Sequence, residues 1–130
     1  MCSLNMEEQK NFYQLVEEIC AQDERYKPDA YEFIIQALHF TQNKLKRENH
    51  VTGQELLEGI REFTIEQYGP MAKIVLKHWG VAKTQDFGNI VFNLVNKKVL
   101  SKTETDSIDD FKDVYDFEVV FGNVLRDSVI

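Results

Sequence analysis

One stretch, Val51 to Leu100, brackets itself with start and stop signals and thereby limits what the rest of the chain can do. Thr52-Gly53-Gln54-Glu55 is a T-x-x-E capping box. The threonine hydroxyl accepts from the N–H of Glu55, and the Glu55 carboxylate reaches back to the N–H of Thr52. Val51 before the cap and Leu56 inside it form the hydrophobic-staple pair. Leu56, Leu57, Ile60, Phe63, Thr64, Gln67 and Tyr68 then follow helical spacing. Gly69-Pro70 stops this helix, and Pro70 suits the first turn of the next. That next helix is short, Met71 to Trp79, and stops at Gly80. A third starts at Thr84, with Asp86 near its positive end. Phe87, Ile90, Val91, Leu94 and Val95 complete a full apolar face, and Lys97 and Lys98 suit its C-terminal dipole.

Two further helices precede this unit. Met6 to Ala21 places Phe12, Val16, Ile19 and Cys20 on one stripe. Pro28 to about Glu48 opens on proline and Asp29 and buries Ala30, Phe33, Ile34, Ala37, Leu38, Thr41 and Leu45. After Leu100 the period changes. Val99 to Thr103 reads as a short strand, and Glu104 to Asp113 as a solvated acidic loop. Val114 to Phe121 alternates as a strand does, with a short aromatic-ridged helix as the competing reading. Residues 122–130 read as a loosely held tail.

The expected fold is therefore mainly α: a single domain of five helices over 1–130. It divides into a helix pair (6–48), a three-helix unit (51–98) and a small C-terminal β-hairpin (99–121). Helices followed by strand, loop and strand are also the order of a winged-helix module, an analogy of fold that carries no function alone.

Charge is unevenly placed along the chain. The net charge of −7 splits into −6 up to Tyr68, +4 from Gly69 to Leu100 and −5 beyond it. The basic middle is expected either to pair internally with the acidic tail or to dock an acidic protein partner. The candidate interaction face is Lys73, Lys77, Lys83, Phe92, Lys97 and Lys98. Phe92 points away from the Phe87–Ile90–Leu94 stripe, so either the tail covers it or it is an anchor. A nucleic-acid reading would use Gln85, Asn89, Asn93 and Asn96 against base edges. The acidic wing would then meet phosphates with the wrong sign, so these amides read better as a solvated helix face.

Chemistry-bearing motifs are missing. Asp106, Asp109, Asp110, Asp113 and Asp116 fail the EF-hand spacing. His39, His50 and His78 are scattered, and no Cys or His falls at metal-ligand spacing. Glu55, Glu58 and Glu62 form a surface row. Phosphate loops, nucleophile elbows and dinucleotide fingerprints do not occur. No catalytic, cofactor or metal residue is therefore assigned. Cys2 belongs to a frayed start and Cys20 to an apolar face, which suits a reducing, cytoplasmic compartment. The first residues lack an apolar secretion core, and no run reaches membrane-spanning length.

Several blocks in order carry a resemblance. They are YKPDAYEF (26–33), GQELLEGIRE (53–62), QYGPMA (67–72), Trp79-Gly80, DFGNIVFNLV (86–95) and LSKTETDSIDDFKDVYDF (100–117). Together they resemble a small family found largely in the planctomycete–verrucomicrobial–chlamydial bacteria, one without an assigned activity. The resemblance implies a bacterial, cytoplasmic, self-contained domain and brings no cofactor or catalytic residue. The residues favour a non-catalytic interaction or regulatory module. A winged-helix-like nucleic-acid binder and an enzyme of another class are the alternatives.

Overall fold

The computed structural model describes residues 1–3 and 9–122. The expected helical start at 6–8 and the tail at 123–130 lie outside them. The chain is mainly helical. After a two-residue strand β1 (Cys2–Ser3) come α1 (Gln9–Gln22), α2 (Pro28–Leu45), α3 (Gly53–Tyr68), α4 (Ala72–His78) and α5 (Thr84–Asn96). A second two-residue strand β2 (Leu100–Ser101), a 3-10 turn (Ile108–Phe111) and a one-turn helix α6 (Phe117–Val120) follow.

The capping box forms as the spacing predicts. Glu55 N–H donates to the Thr52 hydroxyl at 3.0 Å, and Thr52 N–H donates to the Glu55 carboxylate at 2.9 Å. Val51 and Leu56 are both buried. Helix α3 ends at Gly69, and a 3-10 turn over Gly69–Met71 leads into α4. Helix α2 stops three residues short of the expected Glu48. Lys46 takes a left-handed conformation (φ 56), and Arg47 N–H bonds back to Gln42 C=O at 2.9 Å. The Gln42 amide then holds the reversed chain through Asn49 C=O at 2.8 Å. Leu45, expected inside, is consequently exposed.

The core runs through all five long elements. Phe33 on α2 stacks with Phe63 on α3 and with Trp79 after α4, each at 5.2 Å between ring centres. Leu38, Leu56, Leu57, Ile60, Leu76, Ile90 and Leu94 are fully enclosed. Burying a side chain of this size is worth about 1.5–3 kcal/mol, so these rows decide how the helices pack.

The C-terminal hairpin is a correction. Strand β2 pairs antiparallel with β1, Cys2 opposite Ser101 and Ser3 opposite Leu100, and Val114–Phe121 forms no strand. Cys2 is therefore held in a ladder rather than frayed. Asp116 takes the N-cap of α6, its carboxylate accepting from Glu118 N–H at 2.7 Å. That cap, together with a Phe117–Phe121 pair one turn apart at 5.1 Å, selects the helical alternative over the period-2 strand. The acidic loop is also not simply solvated. Ser107 accepts from Asp109 N–H, and Asp110 accepts from Ser107 N–H, which closes a 3-10 turn. The turn drives Phe111 into the core with no exposed surface. Gly88 on α5 makes room for it, because a Cβ there would lie 2.8 Å from the Phe111 Cβ. With no hairpin, the winged-helix arrangement has no wing.

Candidate functional site

The four α5 amides fall into place first. Asn93 donates to Asp23 Oδ2 at 2.9 Å and to the Tyr31 hydroxyl at 3.1 Å. Asn89 donates to the Tyr26 hydroxyl at 2.9 Å, which donates onward to Asp86 Oδ1 at 2.6 Å. Gln85 donates to Asp113 Oδ1 at 3.0 Å. Only Asn96 stays exposed without such a bond. These side chains therefore tether the α1–α2 loop and the C-terminal segment to α5, which corrects both the base-reading and the solvated-face expectations.

The polar seam has strongly perturbed protons. Two Arg25 side-chain bonds hold the Asp23 carboxyl far below the carboxylate range, against the opposing effect of burial. Burial pushes the Tyr31 phenol up to about 12. Burial and the acceptor Asp86 raise Tyr26 as well. Asp23 accepts from Arg25 and Asn93, Tyr31 accepts from Asn93, and Tyr26 bridges Asn89 and Asp86, so the seam ties the α1–α2 loop and the start of α2 to α5.

An open groove lies elsewhere, between α4 and the segment that leads into α6. It encloses about 910 Å³. One wall carries Lys73 and Lys77 of α4, the other carries Asp113, Asp116 and Glu118, and Lys83 lines the groove from the turn before α5. Val81, Tyr115 and Phe117 supply apolar surface, and Ile74 is 60% exposed beside the lysines. Local sequence explains the walls. Helix α4 packs Ala72 and Leu76 inward, which turns Lys73, Ile74 and Lys77 outward. The opposite wall is pinned by Val114 N–H to the buried Thr84 hydroxyl at 3.2 Å and by Tyr115 hydroxyl to Leu57 C=O at 2.8 Å.

The predicted face divides. Lys73, Lys77 and Lys83 meet in the groove. Lys97 and Lys98 lie past the other end of α5, which at 13 residues is about 20 Å long. Lys97 pairs with Glu18 at 3.2 Å. Phe92 is half-buried, edge-on to Phe111 at 6.4 Å, so the C-terminal segment covers it. Internal pairing of the lysines is thus partial: Lys73 meets Glu118, whereas Lys77 and Lys83 have no ion-pair partner among the described residues. Sequence reading missed Ile74, Asp113, Asp116 and Glu118 as groove residues. Ile74 was signalled only by an apolar outward position within a lysine-bearing helix, and the three acids by nothing local.

Among the described residues no group of three His, Cys, Asp or Glu side chains is arranged to hold a metal ion. Among them, too, no helix is long and apolar enough to cross a membrane. No family model, no curated protein and no solved structure matches the chain.

Proposed function

We propose that this is a non-catalytic bacterial protein of the cytoplasm, an interaction or regulatory module that docks a protein in the α4 groove. One observation carries the reading. All three groove acids are already engaged: Glu118 with Lys73, Asp113 with Gln85, and Asp116 as the cap of α6. Lys77 and Lys83 have no such partner among the described residues, and Ile74 stands exposed beside them. An apolar centre with unsatisfied charge at its edge is what a docking protein fills, whereas a reaction centre needs convergent acids, bases or nucleophiles. The docking protein sets carboxylates opposite Lys77 and Lys83 and apolar side chains against Ile74. Two unpaired cysteines, Cys2 and Cys20, suit a reducing compartment.

The test is capture of partners with the full chain and with an Ile74→Glu, Lys77→Glu double variant, both first shown to be folded by circular dichroism. The expected result is loss of the bound protein with the variant. Equal capture by both would overturn the reading. Deleting everything after Leu100 is not a usable control, because Phe111, Phe117 and Phe121 are buried core residues.

A further inference from the structure

Resting on that reading, we infer that the protein filling the groove is a second copy of this chain, docked about a two-fold axis through the groove. The groove carries the two signs in equal number, Lys73, Lys77 and Lys83 with Asp113, Asp116 and Glu118, and its α4 wall is basic where the facing segment is acidic. A uniformly acidic partner would satisfy one wall and be repelled by the other. A two-fold image of the same groove meets both signs at once, because rotation lays each basic wall on the other copy's acidic wall, where Asp113 and Asp116 accept only from neutral donors and keep their charge for a lysine. That self-complementarity is what an isologous interface requires.

Apolar surface follows the same arrangement. Met71, Ile74 and Lys77 recur every three residues along the start and outer face of α4, and Met71 and Ile74 are 52% and 60% exposed. On the facing wall Val114, 40% exposed, sits between the lining residues Asp113 and Tyr115. The same rotation sets Met71 and Ile74 of one copy against Val114 of the other and leaves the charges at the rim, the usual layout of a dimer interface. The Lys73–Glu118 pair already spans the two walls within one chain. Both ends are solvent-accessible, so the pair can be exchanged for two equivalent pairs between chains. The net charge of −7 opposes approach at long range. That repulsion is screened beyond about 8 Å at physiological ionic strength, whereas contacts across the walls are much shorter.

Light scattering and sedimentation equilibrium on the full chain test this directly. The wild type is expected to approach twice the 15.2 kDa chain mass as concentration rises. Lys77→Glu with Lys83→Glu reverses two of the three basic groove charges, and Asp113→Lys with Glu118→Lys reverses two of the three acidic ones. Each charge-reversed protein alone is expected to stay monomeric at concentrations where the wild type is dimeric. An equimolar mixture of the two is expected to recover the dimer. Ile74→Glu, at an exposed position that folding does not use, is expected to weaken association at least ten-fold. A wild type that is monomeric at its highest soluble concentration overturns the inference. A dimer unchanged by Ile74→Glu and by the Lys77→Glu, Lys83→Glu variant overturns it too. A monomer that still captures a different protein through the groove removes the second copy while leaving the interaction module standing.

Discussion

At Gly59 a helix interior does without the methyl that would favour it. Alanine is about 1 kcal/mol better than glycine at such a position by intrinsic propensity. The residue faces Thr41 of α2, and a Cβ built on it would overlap the Thr41 side chain. Thr41 cannot easily withdraw. It is buried, and its hydroxyl donates to Ala37 C=O at 2.7 Å. Gly59→Ala is therefore expected to destabilise the protein by about 1–3 kcal/mol, the range for an overpacked core. A lower urea midpoint at unchanged slope is the expected readout. A stabilised variant would mean that α2 and α3 do not pack this closely. The α5 amides make a similar point about single residues. Asn89 and Asn93 look like polar outward positions until the loop bearing Asp23 and Tyr26 is folded over them. Periodicity gives the direction of a side chain about its own helix and says nothing of what a distant loop lays across it.

At the scale of elements, the outcome depends on how local each signal is. The α3 cap, the Gly69 stop and the span of α5 were legible because residues within a few positions of each other decide them. The end of α2 was not, since it turns on a left-handed lysine with no glycine to announce it. Helix α6, which the spacing leaves open between strand and helix, and the 3-10 turn at Ile108–Phe111 are obscured for another reason. Their aspartates act as caps, so a run that resembles solvated charge encodes two tight turns. Of the candidate site, the basic wall was legible from the lysines of α4 and the following turn. The acidic wall was not, because only the path of the C-terminal segment over α5 brings it there. Phe111 measures how much that segment matters to the core. It has no exposed surface and touches both Gly53 and Gly88, so it locks α3 to α5. Phe111→Ala is expected to cost about 3–5 kcal/mol. Thermal unfolding followed by near-ultraviolet circular dichroism checks this. A change under about 1 kcal/mol would place the acidic segment outside the cooperative core.

Across the whole molecule, titration should confine stability to a plateau with two different edges. On the acid side, Thr52 N–H holds Glu55 below its ordinary range, and Arg61 does the same for Glu58. Burial opposes ionisation of Asp106, but Thr103 N–H, the Met1 ammonium and His50 outweigh it, so Asp106 is lowered as well. Asp23 is lowered too. Groups depressed on folding stabilise above their unfolded values, near pH 4, and that contribution is lost as pH falls through the folded values. On the alkaline side, burial raises the phenols of Tyr26, Tyr31 and Tyr115. Below about pH 10 these tyrosines are neutral in both states and favour neither. Above it the unfolded chain releases protons that the folded chain retains, so stability falls as pH rises towards the folded values. The urea midpoint is therefore expected to drop below about pH 4, to rise gently towards about pH 8 as the Met1 ammonium, lowered by burial, loses its proton, and to drop again above about pH 10. Tyr115→Phe should shift the alkaline edge upward and leave the acid edge in place. Tyrosinate absorbance supplies the independent check: Tyr26, Tyr31 and Tyr115 should ionise only with unfolding, and burial holds Tyr68 above the ordinary phenol range as well. If all five ionised near pH 10 while the fold persisted, the three hydroxyls would be wet, and the contacts of Tyr26 with Asp86 and of Tyr115 with Leu57 would not hold the chain together.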